Sequence, residues 1–275
     1  MRVLYLDTFS GIAGDMTLAA LVDCGAEAAD IARCIESLGL GAVRLEFTPT
    51  MRHGFRALRL DIHHPPEHAH RHLSDIEELL DRGELSPRAR NMARRIFGKV
   101  AQAEAHVHGT TVEHVHFHEV GAVDSIVDIV GVAVAIDLLN IGRVVAAPPV
   151  TGSGMIRIAH GWVSVPAPAT VEILRGIPVR GSPIEAELTT PTGAAIVAAL
   201  ADDIGPLPSM RIERTGYGAG HKELPEQANV LRAVVGDIDT TGQDVVWLLE
   251  TNLDDVTGEH LGYAMGQLMQ AGALD

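Results

Sequence analysis

The sequence predicts an α/β protein of the mixed α+β kind, with one main domain that carries a histidine-rich loop and the start of a second. Segments with strand-like alternation and segments with helical periodicity follow one another along the chain. Apolar residues make up 47% of the 275 residues and charged residues 21%, which is enough apolar surface to bury a core. A polar, turn-rich segment at 237–243 predicts a linker. We therefore expect the main domain over residues 1–240 and an incomplete C-terminal domain over 241–275.

Short apolar or alternating runs predict strands over residues 2–7, 43–48, 55–62, 143–147, 211–215, 230–235 and 245–250. Apolar periodicity predicts helices over residues 15–24, 28–38, 74–80, 87–106, 124–140, 166–175, 191–201 and 259–271. Ser74 and Asp124 are the expected N-caps of their helices, and Pro87 opens another. The helix over 124–140 is apolar on nearly every side, which is typical of a helix at the centre of a domain. Residues 148–164 are expected to form a long loop.

Composition excludes several classes of partner. Lysine and arginine total 21 against 36 aspartate and glutamate, so the formal charge is −15, which disfavours binding to nucleic acid or to anionic membranes. Aromatic residues make up 4%, too few for stacking platforms on single-stranded nucleic acid. The sequence shows neither a signal peptide nor an apolar run of the ~20 residues that span a bilayer, which predicts a cytoplasmic protein. Cys24 and Cys34 give no disulfide framework and are expected to be buried free thiols.

Histidine is concentrated in one region, because eleven of the 14 histidines lie between His53 and His118. Two prolines hold the first cluster out of regular structure, so its imidazoles can approach an ion from several directions. Neutral imidazole binds nickel, zinc, copper and iron, and a histidine loop without thiolates suits metal capture. The alternative is a solvated polar loop. The predicted metal ligands in this loop are His63, His64, His68, His70 and His72.

A second histidine cluster alternates with apolar residues, as in a strand with one polar face. Val115 and Phe117 are expected to pack inward, while the intervening side chains and the next carboxylate line up as metal ligands. That set comprises His114, His116, His118 and Glu119. His106 and His108, just upstream, are also candidate ligands. At the end of a helix, however, they equally suit interaction with its last carbonyl groups.

Asp124 and Asp128 lie four residues apart, and therefore on one face of the apolar helix. Asp128 sits between Val127 and Ile129, where an unpaired carboxylate is costly. A metal, an arginine or a histidine must compensate it, and the histidine strand just upstream is the nearest source. We therefore predict that both aspartates serve a metal site.

Two helix starts carry glycine and hydroxyl residues that suit an anionic, nucleotide-like ligand, although each pattern alone is more often an ordinary turn. The predicted cofactor-binding residues are Ser10, Gly11, Gly14, Thr190, Thr192 and Gly193. A third glycine run, residues 215–222, ends in two cationic side chains, His221 and Lys222.

Four motifs together resemble the LarC family of nickel insertion proteins: LDTFSGIAGDM at 6–16, HFHEVGAVDSIVD at 116–128, TTPTG at 189–193 and ETNLDD at 250–255. The resemblance covers essentially the whole chain, and it makes residues 1–240 a nickel-binding domain. It implies insertion of Ni²⁺ into pyridinium-3,5-bisthiocarboxylic acid mononucleotide, with one nickel–carbon and two nickel–sulfur bonds. The product is the nickel-pincer nucleotide, the cofactor of lactate racemase. The family uses CTP with Mg²⁺ or Mn²⁺.

By this resemblance the chain is a nickel-inserting lyase of the cyclometallase or chelatase type. We expect the carboxylates of Asp7, Asp15 and Asp128, which lie in the two longest motifs, to act in catalysis. Family members continue past ETNLDD into a C-terminal domain associated with CTP. We therefore expect the C-terminal half of the same protein, or a split-gene partner, to be needed for full activity. Other expected partners are apo lactate racemase and further copies of the chain in a homo-oligomer.

Two other functions fit the same residues. A nickel or zinc storage protein, or a metallochaperone, would use the histidine loop without catalysis. A metal-dependent hydrolase would use His-x-His and the following carboxylates to hold a metal-bound hydroxide.

Overall fold

The computed structural model describes residues 1–66, 71–115, 117, 122–158, 160–238, 248 and 250–273. The chain divides into two units, Met1–Asp239 and Thr240–Asp275. Helices and a mixed sheet together confirm the predicted α/β class.

The strands of the described residues are β1 (Arg2–Asp7), β2 (Arg44–Arg52), β3 (Phe55–His63), β4 (Arg143–Ala146), β5 (Val150–Thr151), β6 (Met155–Ile158), β7 (Gly161–Ser164), β8 (Arg180–Gly181), β9 (Asp203–Ile204), β10 (Arg211–Ala219) and β11 (Val230–Asp237). The helices are α1 (Gly14–Asp23), α2 (Ala28–Ser37), α3 (Leu73–Arg82), α4 (Pro87–His108), α5 (Val123–Leu138), α6 (Pro168–Ile173), α7 (Pro191–Leu200) and α8 (Gly258–Gln270).

A seven-stranded mixed sheet forms the frame of the first unit, in the order β2-β3-β10-β11-β1-β4-β9. β1 lies inside this sheet, parallel to β4 and antiparallel to β11. Its run Val3–Leu6 is buried throughout, as expected for a strand covered on both faces. β2 and β3 pair antiparallel from Arg44↔His63 to Arg52↔Phe55, which confirms the predicted hairpin.

The apolar helix α5 is buried along most of its length, which confirms its predicted central position. It packs against α1, α2, α4 and α7. Gly131 allows the close contact with α1, because a Cβ atom there would lie 2.5 Å from Cδ2 of Leu18. The packing leaves the N-terminal ends of α1 and α5 side by side.

Three local expectations are wrong. The N-cap of α3 is His72 rather than Ser74, because the backbone is already extended at residue 72 and Asp75 completes a capping box with it. The N-cap of α5 is Ala122, which places Asp124 in the first turn. Residues 148–164 are not one loop but contain β5 and the β6–β7 hairpin, whose alternating residues pair from Met155↔Ser164 to Ile158↔Gly161.

In the second unit, α8 confirms the helix expected at 259–271, and the Thr257 hydroxyl caps it by accepting from the N–H of His260 (3.4 Å). Most of the strand expected at 245–250 lies outside the described residues. None of the described helices is both long enough and apolar enough to cross a membrane.

Candidate functional site: an acidic cavity beside the apolar helix

Two of the predicted motifs meet at a cavity of about 330 Å³, which we call the acidic cavity. It lies where α1 and α5 begin, β3 ends and the chain leaves β10. The residues that line it are Asp15, Leu60, Asp61, Ile62, His63, Asp124, Asp128 and His221. Four carboxyl groups thus face one small space together with two imidazoles.

Asp128 is the buried carboxyl group of this cavity, with 9% of the residue exposed. Its side chain fits against α1 because residue 14 is glycine: a Cβ there would lie 2.5 Å from Oδ2 of Asp128. The backbone N–H of Asp15 donates to the carboxyl group, whereas Oδ1 has no hydrogen-bond partner among the residues that the structure describes. Burial raises the pKa of Asp128 well above its usual range, and the nearby Asp15 and Asp124 carboxylates raise it further. A cation in the cavity would oppose that rise, because it stabilises the charged form of the carboxyl group.

His221 joins two walls of the cavity. Its Nδ1 lies 3.0 Å from Oδ2 of Asp15 on α1, and its Nε2 lies 3.2 Å from Oδ1 of Asp61 on β3. The hydrogen bond with Asp15 is the main cause that raises the pKa of His221. Burial by itself would raise the pKa of Asp61. The hydrogen bonds from Arg59 and His221 have the larger combined effect, so the pKa of Asp61 is lowered. The ring therefore sits between two carboxylates that favour its charged form.

Asp61 and His221 are not among the residues that the sequence predicted for this site. Asp61 lies in a strand where the alternation of polar and apolar residues already explains a polar side chain at that position. His221 follows a glycine run that resembles an ordinary turn. Strand order brings them together, because β3 and β10 are neighbours in the sheet although Asp61 and His221 are 160 residues apart in sequence. The available signal was the position of Asp61 directly before the histidine loop.

His63 and His64 lie at the rim of the acidic cavity. Nε2 of His64 is 3.0 Å from Oδ1 of Asp124, and Nε2 of His63 is 3.2 Å from Oε2 of Glu46 on β2. The first histidines of the loop are thus joined to the carboxylates at the start of α5. The other predicted loop ligands, His68 and His70, lie outside the described residues.

Four of the remaining predicted histidine ligands are described, and none of them lines the acidic cavity. Nδ1 of His72 is 3.1 Å from the carbonyl oxygen of Val115, and His114 lies in a turn, where its Nδ1 is 2.9 Å from Oγ1 of Thr111. His106 and His108, at the end of α4, pair with Glu172 (3.7 Å) and Glu104 (3.2 Å). The inward packing of Val115 and Phe117 is confirmed by their burial. The residues of that cluster outside the described part of the chain are His116, His118 and Glu119.

The two predicted nucleotide loops contact each other through their backbones. The N–H of Ile12 donates to the carbonyl of Leu188 (3.0 Å), and the N–H of Thr190 donates to the carbonyl of Ile12 (3.1 Å). Gly11 and Gly193 make this approach possible, since a Cβ on either would lie 2.0 Å from a carbonyl oxygen of the other loop. These glycines therefore have a packing role, and their binding of a nucleotide stays a prediction.

The polar residues of these loops also have partners within the protein. Ser10 is fully buried, and its hydroxyl accepts from Nε2 of Gln227 (2.7 Å). The Thr190 hydroxyl caps α7 and lies 2.9 Å from that of Thr192. Asp7, a predicted catalytic residue, forms an ion pair with Arg232 across β1 and β11, away from the residues that line the acidic cavity. A catalytic role for Asp7 stays a prediction.

No three His, Cys, Asp or Glu side chains among the described residues are already arranged around a single point as a metal site. Cys24 is not a candidate ligand, because burial raises the pKa of its thiol to about 12 and so keeps it protonated. The acidic cavity instead offers carboxylates and imidazoles on separate elements. These side chains can bind one divalent cation only if they move closer to one another.

Fold and cavity together define an α/β protein whose carboxylates and imidazoles are grouped to receive a cation. The sequence profile of the family described as nickel insertion protein matches residues 4–275, and the chain belongs to that family.

Curated relatives match over the whole chain. A pyridinium-3,5-bisthiocarboxylic acid mononucleotide nickel insertion protein of Geobacillus kaustophilus is 48% identical, and the match covers 100% of this chain and 72% of the relative. A protein of the same name from Desulfitobacterium hafniense is 44% identical over 100% of this chain and 70% of its own length. A putative nickel insertion protein of Rhodopirellula baltica is 49% identical, with 100% and 71% covered. No solved structure matches the chain.

Proposed function

We propose that this chain inserts Ni²⁺ into pyridinium-3,5-bisthiocarboxylic acid mononucleotide. Membership of the nickel insertion family and the names of two relatives support this reaction. The observation that carries it is the buried Asp128 in a cavity with three further carboxyl groups. Within the described part of the chain, Oδ1 of Asp128 has no hydrogen-bond partner. An uncompensated buried carboxyl group is costly, and bound nickel would offset that cost.

Nickel, as the substrate metal, enters through the loop histidines and is held in the acidic cavity. His63 and His64 lie at its rim, and His64 already contacts Asp124. Asp124 and Asp128 are one helical turn apart on α5, so one ion can be shared between them and an imidazole. This path gives the loop the role of capture and the helix start the role of transfer.

The finer features of the reaction follow from the family resemblance. The product contains one nickel–carbon and two nickel–sulfur bonds, so the chain is a lyase of the cyclometallase type. CTP with Mg²⁺ or Mn²⁺ drives the step, and apo lactate racemase receives the product in the cytoplasm. The curated relatives are longer than this chain, which covers 70 to 72% of the three named above. We expect a C-terminal portion of that kind to contribute to the CTP-dependent step, and the assembly to be a homo-oligomer.

The test is reconstitution with defined components. Purified chain, Ni²⁺, CTP, Mg²⁺ and the dithiocarboxylate mononucleotide are incubated with and without the C-terminal portion of a longer relative. Mass spectrometry detects the nickel isotope pattern in the product. Activation of apo lactate racemase by the reaction mixture shows that the product works as its cofactor. Nickel-containing product in either mixture supports the proposal.

Stoichiometric nickel binding without product in both mixtures would instead indicate storage, the second candidate function. The histidines at the cavity rim are the observation that favours it.

A further inference from the structure

A second cavity, of about 230 Å³, lies between the C-terminal end of α4 and the β6–β7 hairpin. We call it the hairpin cavity. Most of its wall is apolar, formed by Val107, Ile158, Val163, Ala167, Pro168, Ala169 and Pro191. The polar residues of the wall, among those that the structure describes, are Glu104, His108 and His160. A small apolar space with a few grouped polar side chains is the usual form of a ligand site.

The polar side chains form one compact group. Oε2 of Glu104 lies 3.2 Å from Nε2 of His108, one helical turn further along α4. The ring of His160, in the turn of the hairpin, lies over that of His108 with 4.9 Å between ring centres and 53° between planes. Glu104 is buried, with 9% of the residue exposed, so its carboxylate acts in a weakly screened environment.

These features select a flat cation. The volume exceeds the ~150 Å³ of an apolar cavity that holds a benzene ring, so a substituted six-membered ring fits. Apolar walls and two imidazole rings favour an aromatic ligand, and the buried carboxylate favours positive charge on it. A pyridinium ring combines both properties at its ring nitrogen, provided that any anionic substituents of the ring point away from Glu104.

We propose that the hairpin cavity binds the pyridinium ring of the mononucleotide substrate. The inference rests on the proposed function, because the relatives' names supply the pyridinium mononucleotide as the substrate class. Pro191, the first residue of α7, belongs to the wall, so the motif Thr190–Gly193 that suggested a nucleotide ligand borders this cavity. Ring binding and nickel capture are then assigned to separate sets of residues.

The probe is nicotinic acid mononucleotide, a stable pyridinium mononucleotide, titrated calorimetrically into the full chain. Ribose 5-phosphate, which lacks the ring, is the reference ligand. Glu104→Gln keeps the shape of the side chain and removes its charge, and we expect it to weaken probe binding about tenfold or more. Ala169→Leu fills the cavity and should abolish binding. Glu172→Gln is the matched control, because Glu172 pairs with His106 outside this wall.

Thermal melts establish that each variant is folded, and equilibrium dialysis measures its bound nickel. Loss of probe binding in Glu104→Gln and Ala169→Leu, with Glu172→Gln and nickel binding unchanged, supports the proposal. Equal binding of the probe and ribose 5-phosphate would overturn it, as would full probe affinity in the folded Ala169→Leu chain. A fall in nickel stoichiometry in Glu104→Gln, with probe affinity retained, would overturn it in favour of a metal site.

Probe binding requires neither nickel nor CTP, which separates this proposal from the proposed function. A chain that inserts nickel but does not bind the probe refutes the ring site alone. Glu104-dependent probe binding in a chain that forms no nickel product supports the ring site and counts against the insertion reaction.

Discussion

Replacing Asp128 by asparagine separates a metal role from a structural one. The substitution keeps the size of the side chain and removes the charge that faces Asp15 and Asp124. If Asp128 binds nickel or orients a ligand, we expect nickel affinity to fall by ~10–100-fold, which corresponds to about 1.4–2.7 kcal/mol of binding free energy. Equilibrium dialysis with nickel measures this loss directly.

Although the Asp128→Asn variant should bind nickel more weakly, its folding stability at high pH should be equal to or greater than that of the natural chain. Burial and the two neighbouring carboxylates raise the folded-state pKa of Asp128 above its unfolded value. The contribution of this group to folding is therefore complete below about pH 3.9 and is lost as pH rises through the folded-state pKa. Asparagine does not titrate, so the variant should be at least as stable as the natural chain at pH 8. Thermal melts at pH 5 and pH 8 measure the difference.

Asp137→Asn is the matched control on the same helix. Asp137 accepts from the Ser86 hydroxyl (2.7 Å) and from Arg88 (3.4 Å), outside the acidic cavity. We expect it to lower stability by about 0.5–1.5 kcal/mol and to leave nickel affinity unchanged. If Asp128→Asn lowers the melting temperature at pH 8 while bound nickel per folded chain stays the same, Asp128 is a structural residue and our reasoning is wrong.

Three further predictions concern the surroundings of the cavity. Joint replacement by alanine of the loop histidines should lower the number of nickel ions bound per chain in equilibrium dialysis and leave some insertion at high nickel concentration; the residues are His63, His64, His68, His70 and His72. An unchanged number of bound nickel ions would contradict their role in capture. His221 gains partners on folding, so its stabilising effect is present below about pH 6.5 and lost as pH rises through its raised pKa. His221→Asn should remove that dependence from melts between pH 6 and 8.5, and an NMR titration midpoint below 6.5 in the natural chain would refute the raised pKa. Gly14→Ala places a methyl group against the Asp128 carboxyl group and should lower the free energy of unfolding in urea by about 1–3 kcal/mol. Gly98→Ala, the control in an open helical position, should raise it by about 0.5–1 kcal/mol.

The sequence predicted those elements whose local pattern and burial agree. β1, α1 and the β2–β3 hairpin lie where alternation and periodicity place them, and α5 is central because its residues are apolar on all sides. The β6–β7 hairpin was missed because four-residue strands between glycines resemble a loop when read locally. Only the pairing of the two strands with each other distinguishes this segment from a loop.

The candidate site was predictable where its residues are close in sequence. Asp124 and Asp128 share a helical face, and Gly14 and Asp15 open α1 directly beside them. Asp61 and His221 come from strands that meet through non-local pairing, and no spacing rule in one sequence reveals that pairing. The same holds for His160, which joins Glu104 and His108 only once the hairpin folds onto α4.

The central claim is that nickel binds between the loop histidines and the start of α5. Crystals of the full chain soaked in Ni²⁺ allow an anomalous difference map at the nickel absorption edge, with data below the edge as the control. We expect a peak within coordination distance of Asp128 or Asp124, together with a loop imidazole such as that of His64. A fully occupied nickel peak elsewhere on the chain, with no density in the acidic cavity, would contradict the account.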